Sequence, residues 1–100
     1  RARIIAAAAR RTAPFDAVIC PTCPLVPPAI AEVDEEAAYN RINMALLRNT
    51  SVGNFLDRCS ISIPCHAEGE APVGLMLTGE HMGDARLFAV AAAVEAALAA

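Results

Sequence analysis

The sequence predicts an α/β fold in which three short strands share one sheet that is packed against helices. Short apolar runs that end at prolines indicate the strands, and apolar residues repeated at helical spacing indicate the helices. Apolar residues make up 56% of the 100 positions, a fraction too high for a disordered chain. A chain of this length holds one domain at most, so we expect all of these elements to belong to a single domain.

The first half of the chain predicts a helix, a strand and a loop. The Ala- and Arg-rich residues 1–12 predict a helix, which Pro14 ends. Residues 15–20 form an apolar run that predicts a buried strand ending at Pro21. Four prolines between residues 21 and 31 predict an ordered, extended loop, because neither a helix nor a strand ladder tolerates them.

The second half predicts a helix, a hairpin and a further helix. Asp34 is the expected N-cap of a helix that runs to about Ser51. Residues 61–63 and 73–78 are the expected strands of the hairpin, joined by a polar loop. The last helix is expected to begin at residues 83–84 and to cover the sheet. The side chains expected on its covering face recur at helical spacing: Leu87, Val90, Val94 and Leu98.

Charge and composition exclude several classes of partner. All eight basic residues are Arg, the net charge is −3 and the isoelectric point is about 5.2. Nucleic acids and anionic membranes need a basic surface, so we expect neither as a partner. The most apolar window, about 14 residues long, is too short to span a membrane. Four cysteines without any sign of secretion predict free thiols and a cytoplasmic protein.

Cys20 and Cys23 have the C-x2-C spacing of half a zinc site or of a redox dithiol. No second pair repeats this spacing, so we expect no metal site and two small thiols buried at strand ends. A stand-alone interaction or zinc-binding domain without catalysis stays as an alternative. His66 and His81 lie in polar turns and are expected at the surface. The acidic residues from 32 to 36 are expected to start a helix.

Four elements of the chain, in order, resemble the amidase signature enzymes. Residues 15–24 resemble the family's D-x-(hydrophobic)3-P-T-x-P segment, and Asn54 with residues 60–65 resembles its N…(A/S)-x-S-x-P element. Residues 71–77 are similar to the strand L-P-V-G-L-Q-L, and residues 83–95 to the D-x-x-L-L…A-x-x-x-E end of the family pattern. Together the four elements span nearly the whole chain.

The resemblance implies an amidase, a hydrolase of the C–N bonds of small linear carboxylic amides, whose mixed sheet lies between helices in an α/β/α sandwich. Members of the family use a serine nucleophile, a second serine and a lysine, all in the N-terminal half. This chain has no Lys and no Gly/Ser-rich stretch. We therefore expect residues 1–100 to be the C-terminal part of one amidase-signature domain in a longer protein. No catalytic residue and no cofactor is expected within them.

Two departures from the family pattern bear on the substrate. Residues 54–59 replace the N-L-A-G-L-P of the A-type component of glutamyl-tRNA(Gln) amidotransferase. Residues 47–49 replace an acidic residue that helps that component to bind glutamine. Both departures favour a free-standing amidase or an allophanate-hydrolase-like enzyme, and the amidotransferase component remains the alternative.

The substrate-binding residues expected in this chain lie in two places. Prolines hold the loop after the first strand rigid, and a polar cluster ends the long helix; both features suit a pocket wall. Arg48 is a candidate partner for a substrate carboxylate. We expect the partners to be a small-molecule amide and the rest of the same domain, and a homodimer of the longer protein stays open. The expected substrate-binding residues are Thr22, Cys23, Arg48, Asn49 and Asn54.

Overall fold

A computed structural model describes all residues from 1 to 100. Three α-helices and three strands follow one another along the chain, with a single turn of 3-10 helix before the second α-helix. In chain order the elements are α1 (Ala2–Thr12), β1 (Val18–Pro21), the 3-10 turn (Ile30–Val33), α2 (Glu36–Phe55), β2 (Ser60–Pro64), β3 (Gly74–Thr78) and α3 (Asp84–Ala99). This mixture of helices and a small sheet confirms the predicted α/β fold class.

The three strands form one antiparallel sheet in the order β1-β3-β2. β2 and β3 pair as a hairpin, with Ile61 opposite Leu77 and Ser62 opposite Met76. β1 pairs with the other side of β3, where Ile19 also lies opposite Leu77. The predicted hairpin is therefore confirmed, as is the predicted place of the first strand in the same sheet.

One face of the sheet carries the hydrophobic core. Successive side chains of a strand point to opposite faces, so both isoleucines of β2 share a face with Leu77 of β3. α3 packs on this face, and Leu77 is fully buried at 0% exposure. The four buried members of this core are Ile63, Leu77, Leu87 and Ala91.

The covering face of α3 differs from the predicted one at its C-terminal end. Leu87 is buried, and Val90 and Val94 pack against the core as predicted. Leu98 is 48% exposed, so its predicted place on the covering face is wrong, and Ala91 is buried instead. A helix of 16 residues is about 24 Å long, whereas strands of five residues span about 17 Å. The last turn of α3 therefore extends beyond the sheet.

The opposite face of the sheet carries hydroxyl side chains beside the buried Met76. The alternation Ser-Ile-Ser-Ile in β2 places Ser60 and Ser62 on this face. Ser60 Oγ lies 2.9 Å from Thr78 Oγ1, within hydrogen-bond distance. The C-terminal part of α2 approaches this face closely, because a Cβ atom on Gly53 would stand 3.0 Å from Ser60 Oγ. Gly53 therefore permits close packing inside the helix and does not mark the end of it.

β1 is an exposed edge strand. Val18 is 42% exposed and Ile19 is 63% exposed, so the expectation of a buried strand is wrong. The strand begins at Val18, later than predicted, and includes Pro21 as its last residue. The reason is topological: β3 takes the central place in the sheet and α3 packs on β2 and β3, so β1 lies at the edge that α3 does not cover. An edge strand accepts Pro at its end because no second neighbour needs the missing N–H.

α2 begins and ends later than predicted. Glu35 precedes its first turn, whereas Asp34 closes the 3-10 turn, so Asp34 as the N-cap is wrong. The Ala29 N–H donates a hydrogen bond to the Glu32 carboxylate (2.6 Å). Glu32 therefore stabilises the 3-10 turn that leads into α2, Glu36 lies in the first turn of α2, and the helix itself continues to Phe55.

Asp57 occupies the position of the glycine in the N-L-A-G-L-P pattern that residues 54–59 replace. Its φ is 55°, in the left-handed region that Gly adopts most easily and that Asp tolerates better than most residues. Its carboxylate also forms an ion pair with the Arg1 guanidinium (2.6 Å). At this departure from the family pattern, Asp57 therefore adopts a backbone conformation that glycine favours.

Residues 1–100 form an open layer that buries little of its own apolar surface. The radius of gyration is 15.6 Å, compared with about 13 Å for a compact domain of 100 residues. Only 7 of the 100 residues are buried, and large apolar side chains such as Phe15, Ile30 and Phe88 are exposed. None of the three α-helices has the length and apolar character that crossing a bilayer requires.

Candidate functional site

A cleft with a volume of about 650 Å³ opens at the end of the sheet where β1 ends and β3 begins. The proline-rich loop after β1 contributes one part of its lining. The adjoining ends of β2 and β3, with residues that follow and precede them, contribute another. The cleft is lined by residues 22–28 and 72–74 together with Leu46, Ser62, Pro64 and His66.

Two hydroxyl groups in the cleft lining meet across the central strand. The oxygens of Thr22 and Ser62 lie 2.5 Å apart in a hydrogen bond, although the two residues flank β3 from opposite sides. A Cβ atom on Gly74 would stand 2.8 Å from Thr22 Oγ1 and still closer to Ser62 Oγ. Only glycine therefore leaves room for this hydroxyl pair. The Thr22 N–H also donates to the Gly74 carbonyl (2.9 Å), which extends the β1–β3 ladder to the cleft.

The proline-rich loop presents an apolar wall to the cleft. Pro24, Pro27 and Pro28 all line it, and the ring of each fixes its φ. Asn49 ties the start of the loop to α2, because its Nδ2 donates a hydrogen bond to the Pro21 carbonyl (2.9 Å). Cys23 is exposed and also lines the cleft. The wall is therefore rigid and apolar, with one thiol.

His66 contributes the one imidazole in the cleft lining. The Val73 N–H donates to His66 Nδ1 (3.2 Å), and the Val73 carbonyl lies 3.3 Å from the same nitrogen. The Cys65 N–H donates to the Val73 carbonyl (3.0 Å), so strand-like pairing continues beyond β2 and β3. His66 is exposed, as predicted, and its ring is held in place at the edge of the cleft.

The cleft lining carries no fixed charge. It contains no Asp, Glu or Arg, and its only ionisable side chains are those of Cys23 and His66. The hydroxyls of Thr22 and Ser62 add polar atoms to a lining that is otherwise mainly apolar. A few polar groups on an apolar wall are typical of sites that bind small molecules.

The structure places the five sequence-predicted binding residues in different surroundings. Thr22 and Cys23 line the cleft. Asn49 lies behind the proline-rich loop and holds it. Arg48 is exposed on α2, where its Nε donates to Asn49 Oδ1 (3.3 Å). Asn54 lies in the last turn of α2, outside the cleft lining.

Most residues of the cleft lining are absent from the set of binding residues that the sequence predicts, among them Ser62, Gly74 and His66. Ser62 and Gly74 belong to two of the family elements, so the resemblance is the signal that points to them. His66 directly follows the element that contains Ser62, and nothing in its neighbourhood indicates a site. Its place beside the cleft depends on the pairing of residues 65 and 73.

Cys20 and Cys23 have different surroundings. Cys20 is partly buried in β1, whereas Cys23 is exposed in the loop, so the expectation of two buried thiols is wrong for Cys23. All four cysteines are free. No group of three or more His, Cys, Asp or Glu side chains in residues 1–100 is placed to hold a metal ion. The zinc-binding alternative therefore has no ligand set in this chain.

Comparison with known proteins places these features in a family. The family model for Amidase matches residues 1–88. The chain is 35% identical over 92 residues to 2-amino-5-chloromuconic acid deaminase from Comamonas testosteroni, a match that covers 91% of the chain and 20% of that protein. It is 34% identical over 85 residues to the A-type component of glutamyl-tRNA(Gln) amidotransferase from Sulfurisphaera tokodaii, a match that covers 84% of the chain and 17% of that protein.

A third relative is an uncharacterized protein in the nthA 5′ region of Rhodococcus erythropolis, 32% identical over 82 residues, with 81% of the chain and 41% of that protein covered. No solved structure matches the chain significantly. The chain spans about a fifth of the length of the first two relatives. The family match includes every residue of the cleft lining. The chain belongs to the amidase family, the amidase signature enzymes.

Proposed function

We propose that residues 1–100 form one wall of the substrate pocket of an amidase that hydrolyses the C–N bond of small linear carboxylic amides. The serine nucleophile and the lysine that activates it belong to the remainder of the same domain in a longer protein. Membership of the amidase family supports the reaction class. The cleft supports the assignment of this part of the chain to substrate binding.

One observation carries the proposal: three family elements meet at one cleft. Thr22, Ser62 and Gly74 belong to different elements, and Thr22 and Ser62 are 40 residues apart in the chain. They meet at the surface of a cleft of about 650 Å³, within the range of about 300–1,000 Å³ that small-molecule sites occupy. A family pattern concentrated on an open cleft supports a role in substrate binding.

Amide hydrolysis needs an activated nucleophile, a base and donors to the oxyanion. Without a lysine, residues 1–100 cannot contain the serine–serine–lysine relay of the family. In this division of roles, Thr22 and Cys23 contact the substrate, and Asn49 positions the loop that carries them. Substrate contact by Arg48 and Asn54 stays a prediction, because both lie outside the cleft lining.

Release of ammonia by the full-length protein tests this proposal. We expect turnover of propionamide or benzamide, and inhibition by a serine-directed sulfonyl fluoride. The matched control is the chain of residues 1–100 alone, which we expect to be inactive because it lacks lysine. Turnover by the short chain would overturn the division of roles. Failure of the full-length protein to hydrolyse any amide would overturn the proposed reaction.

A second candidate function is that of an amidotransferase component that takes ammonia from glutamine. Similarity to the A-type components of glutamyl-tRNA(Gln) amidotransferase from Sulfurisphaera tokodaii and Saccharolobus solfataricus, 34% and 30% identical, favours it. The uncharged cleft favours the first candidate, because this wall of the pocket offers no partner for the ammonium and carboxylate groups of glutamine. The amidotransferase function would be supported if glutamine were the best substrate and if activity depended on a second protein component.

The proposed partners are a small amide and the remainder of the domain. Exposed apolar side chains such as Phe15, Ile19 and Phe88 support the remainder of the domain as a partner. If it covered these side chains, their burial would stabilise the folded protein. We place the protein in the cytoplasm, with no nucleic acid or membrane as partner, on the basis of its free thiols and its net charge of −3. The molecular mass of the longer protein, measured by analytical ultracentrifugation, tests whether it forms a homodimer.

A further inference from the structure

We propose that His66 is a specificity-determining residue, which donates a hydrogen bond from Nε2 to a substrate amide whose body is apolar and uncharged. This inference rests on the proposed function and deepens it, because it names the class of amide. It comes from three observations on the cleft: the partners of the His66 ring, the way its backbone is held, and the absence of charge around it.

The Val73 backbone determines which nitrogen of the His66 ring is free. The Val73 N–H donates to Nδ1 (3.2 Å), so Nδ1 is the acceptor and the neutral ring carries its proton on Nε2. In this tautomer Nδ1 has no proton to donate to the Val73 carbonyl, which lies 3.3 Å away. Within residues 1–100, Nε2 is therefore a hydrogen-bond donor without a partner, on a residue that lines the cleft.

Hydrogen bonds hold the backbone of the residues immediately before and after His66. The Cys65 N–H donates to the Val73 carbonyl (3.0 Å), one residue before the start of β3. The Ala67 N–H donates to the Glu70 carboxylate (3.1 Å), which orders the following turn. A donor that is fixed before the substrate arrives loses little conformational entropy on binding. The imidazole is therefore preorganised to select among substrates.

The surroundings of His66 favour a neutral substrate. Leu25, Val26, Leu46 and the prolines make the lining mainly apolar, and Cys23 is its only other ionisable group. Glu68 and Glu70 follow His66 in the turn, but neither is part of the lining, and the Glu70 carboxylate accepts a hydrogen bond from the Ala67 N–H. Arg48, the expected partner of a substrate carboxylate, is also outside the lining. This wall of the pocket would offer a charged substrate no ion pair to offset the hydration that it loses on binding.

Kinetics of the full-length protein test the role of His66. Benzamide is the neutral apolar probe, and succinamic acid and glutamine are the charged probes. His66→Asn keeps an acceptor near the position of Nδ1 but has no group at Nε2, whereas His66→Gln keeps an N–H near Nε2. His81→Asn is the matched control, because His81 lies outside the cleft and its Nδ1 is 2.6 Å from the Asp57 carbonyl.

We expect His66→Asn to raise KM for benzamide about tenfold, the effect of one lost hydrogen bond, while kcat changes less than about twofold. His66→Gln should restore most of the wild-type KM, and His81→Asn should leave it unchanged. An unchanged KM in a folded His66→Asn variant would overturn the inference. A wild-type preference for succinamic acid or glutamine over benzamide would also overturn it.

A thiol-protection experiment reports on the cleft independently of turnover. Cys23 and Cys65 are both exposed, but only Cys23 lines the cleft. We expect benzamide to slow the modification of Cys23 by a methanethiosulfonate reagent at least about tenfold at saturation, and to leave Cys65 unaffected. Equal rates with and without benzamide would overturn the inference. Protection of Cys23 without hydrolysis of any amide would instead overturn the proposed reaction.

Discussion

The hydroxyl groups of Thr22 and Ser62 form a hydrogen bond across a strand to which neither residue belongs. Their oxygens lie 2.5 Å apart, and Gly74 of the central strand leaves the space in which they meet. Strands on either side of a central one are about 10 Å apart. Side chains of ordinary length therefore bridge that distance only above a residue without a Cβ atom. Gly74 thus links the two halves of the cleft.

Substitution Gly74→Ala should disrupt this hydroxyl pair. The added Cβ would stand 2.8 Å from Thr22 Oγ1 and closer to Ser62 Oγ, so we expect a loss of about 1–3 kcal/mol in the free energy of unfolding. Urea denaturation measures it. Combined with Ser62→Ala, the same change should be less harmful, because the nearer oxygen is gone. A double variant no more stable than Gly74→Ala alone would contradict the steric explanation.

Substitutions of Asp57 test whether the positive φ or the charged side chain contributes more to stability where the chain departs from the family pattern. Asp57→Gly removes an exposed ion pair with Arg1 but relieves a positive φ, so we expect a net change below about 1 kcal/mol. Asp57→Val should cost about 1–3 kcal/mol, because a β-branched residue resists the left-handed region. Thermal unfolding of both variants decides this, and equal stability of the two would contradict the argument.

Leu77 and Leu98 allow the same substitution at a buried and at an exposed site. Leu77→Ala should lower the free energy of unfolding by about 2–5 kcal/mol, because Leu77 is 0% exposed at the centre of the sheet. Leu98→Ala should cost less than about 1 kcal/mol, because its side chain is 48% exposed. Denaturant titrations compare the two. A large effect at Leu98 would show that the longer protein covers the last turn of α3.

Asn49 and Arg48 are neighbours with different expected roles. Asn49→Ala removes the hydrogen bond to the Pro21 carbonyl, so amide exchange of the following loop should accelerate about tenfold and KM should rise. Arg48→Ala should leave both quantities nearly unchanged, because Arg48 makes no hydrogen bond with that loop. Hydrogen exchange followed by mass spectrometry reports on the loop. A larger effect of Arg48→Ala on KM would instead favour its predicted contact with substrate.

The positions of most elements could be predicted because their signals are local. Proline marks the ends of the strands at Pro21 and Pro64, and helical spacing marks α3 along its buried face. The errors arise where local signals compete. Asp34 has the features of an N-cap, but Glu32 stabilises a 3-10 turn first. The predicted end of α2 at about Ser51 is too early, since the helix continues to Phe55 and Gly53 within it permits close packing on Ser60.

The sequence by itself determined the fold class, the hairpin, the proline-rich loop and the family. The first three depend on residues that are near one another in the chain, and the family depends on four sequence elements that match its pattern. Only the tertiary structure decided which side chains meet. Strand order brings Thr22 to Ser62, and the pairing of residues 65 and 73 brings His66 to the cleft. The same order leaves β1 exposed at the edge. The physical reason is that register and strand order are long-range properties, set by which faces and edges are buried together, and no local pattern encodes them.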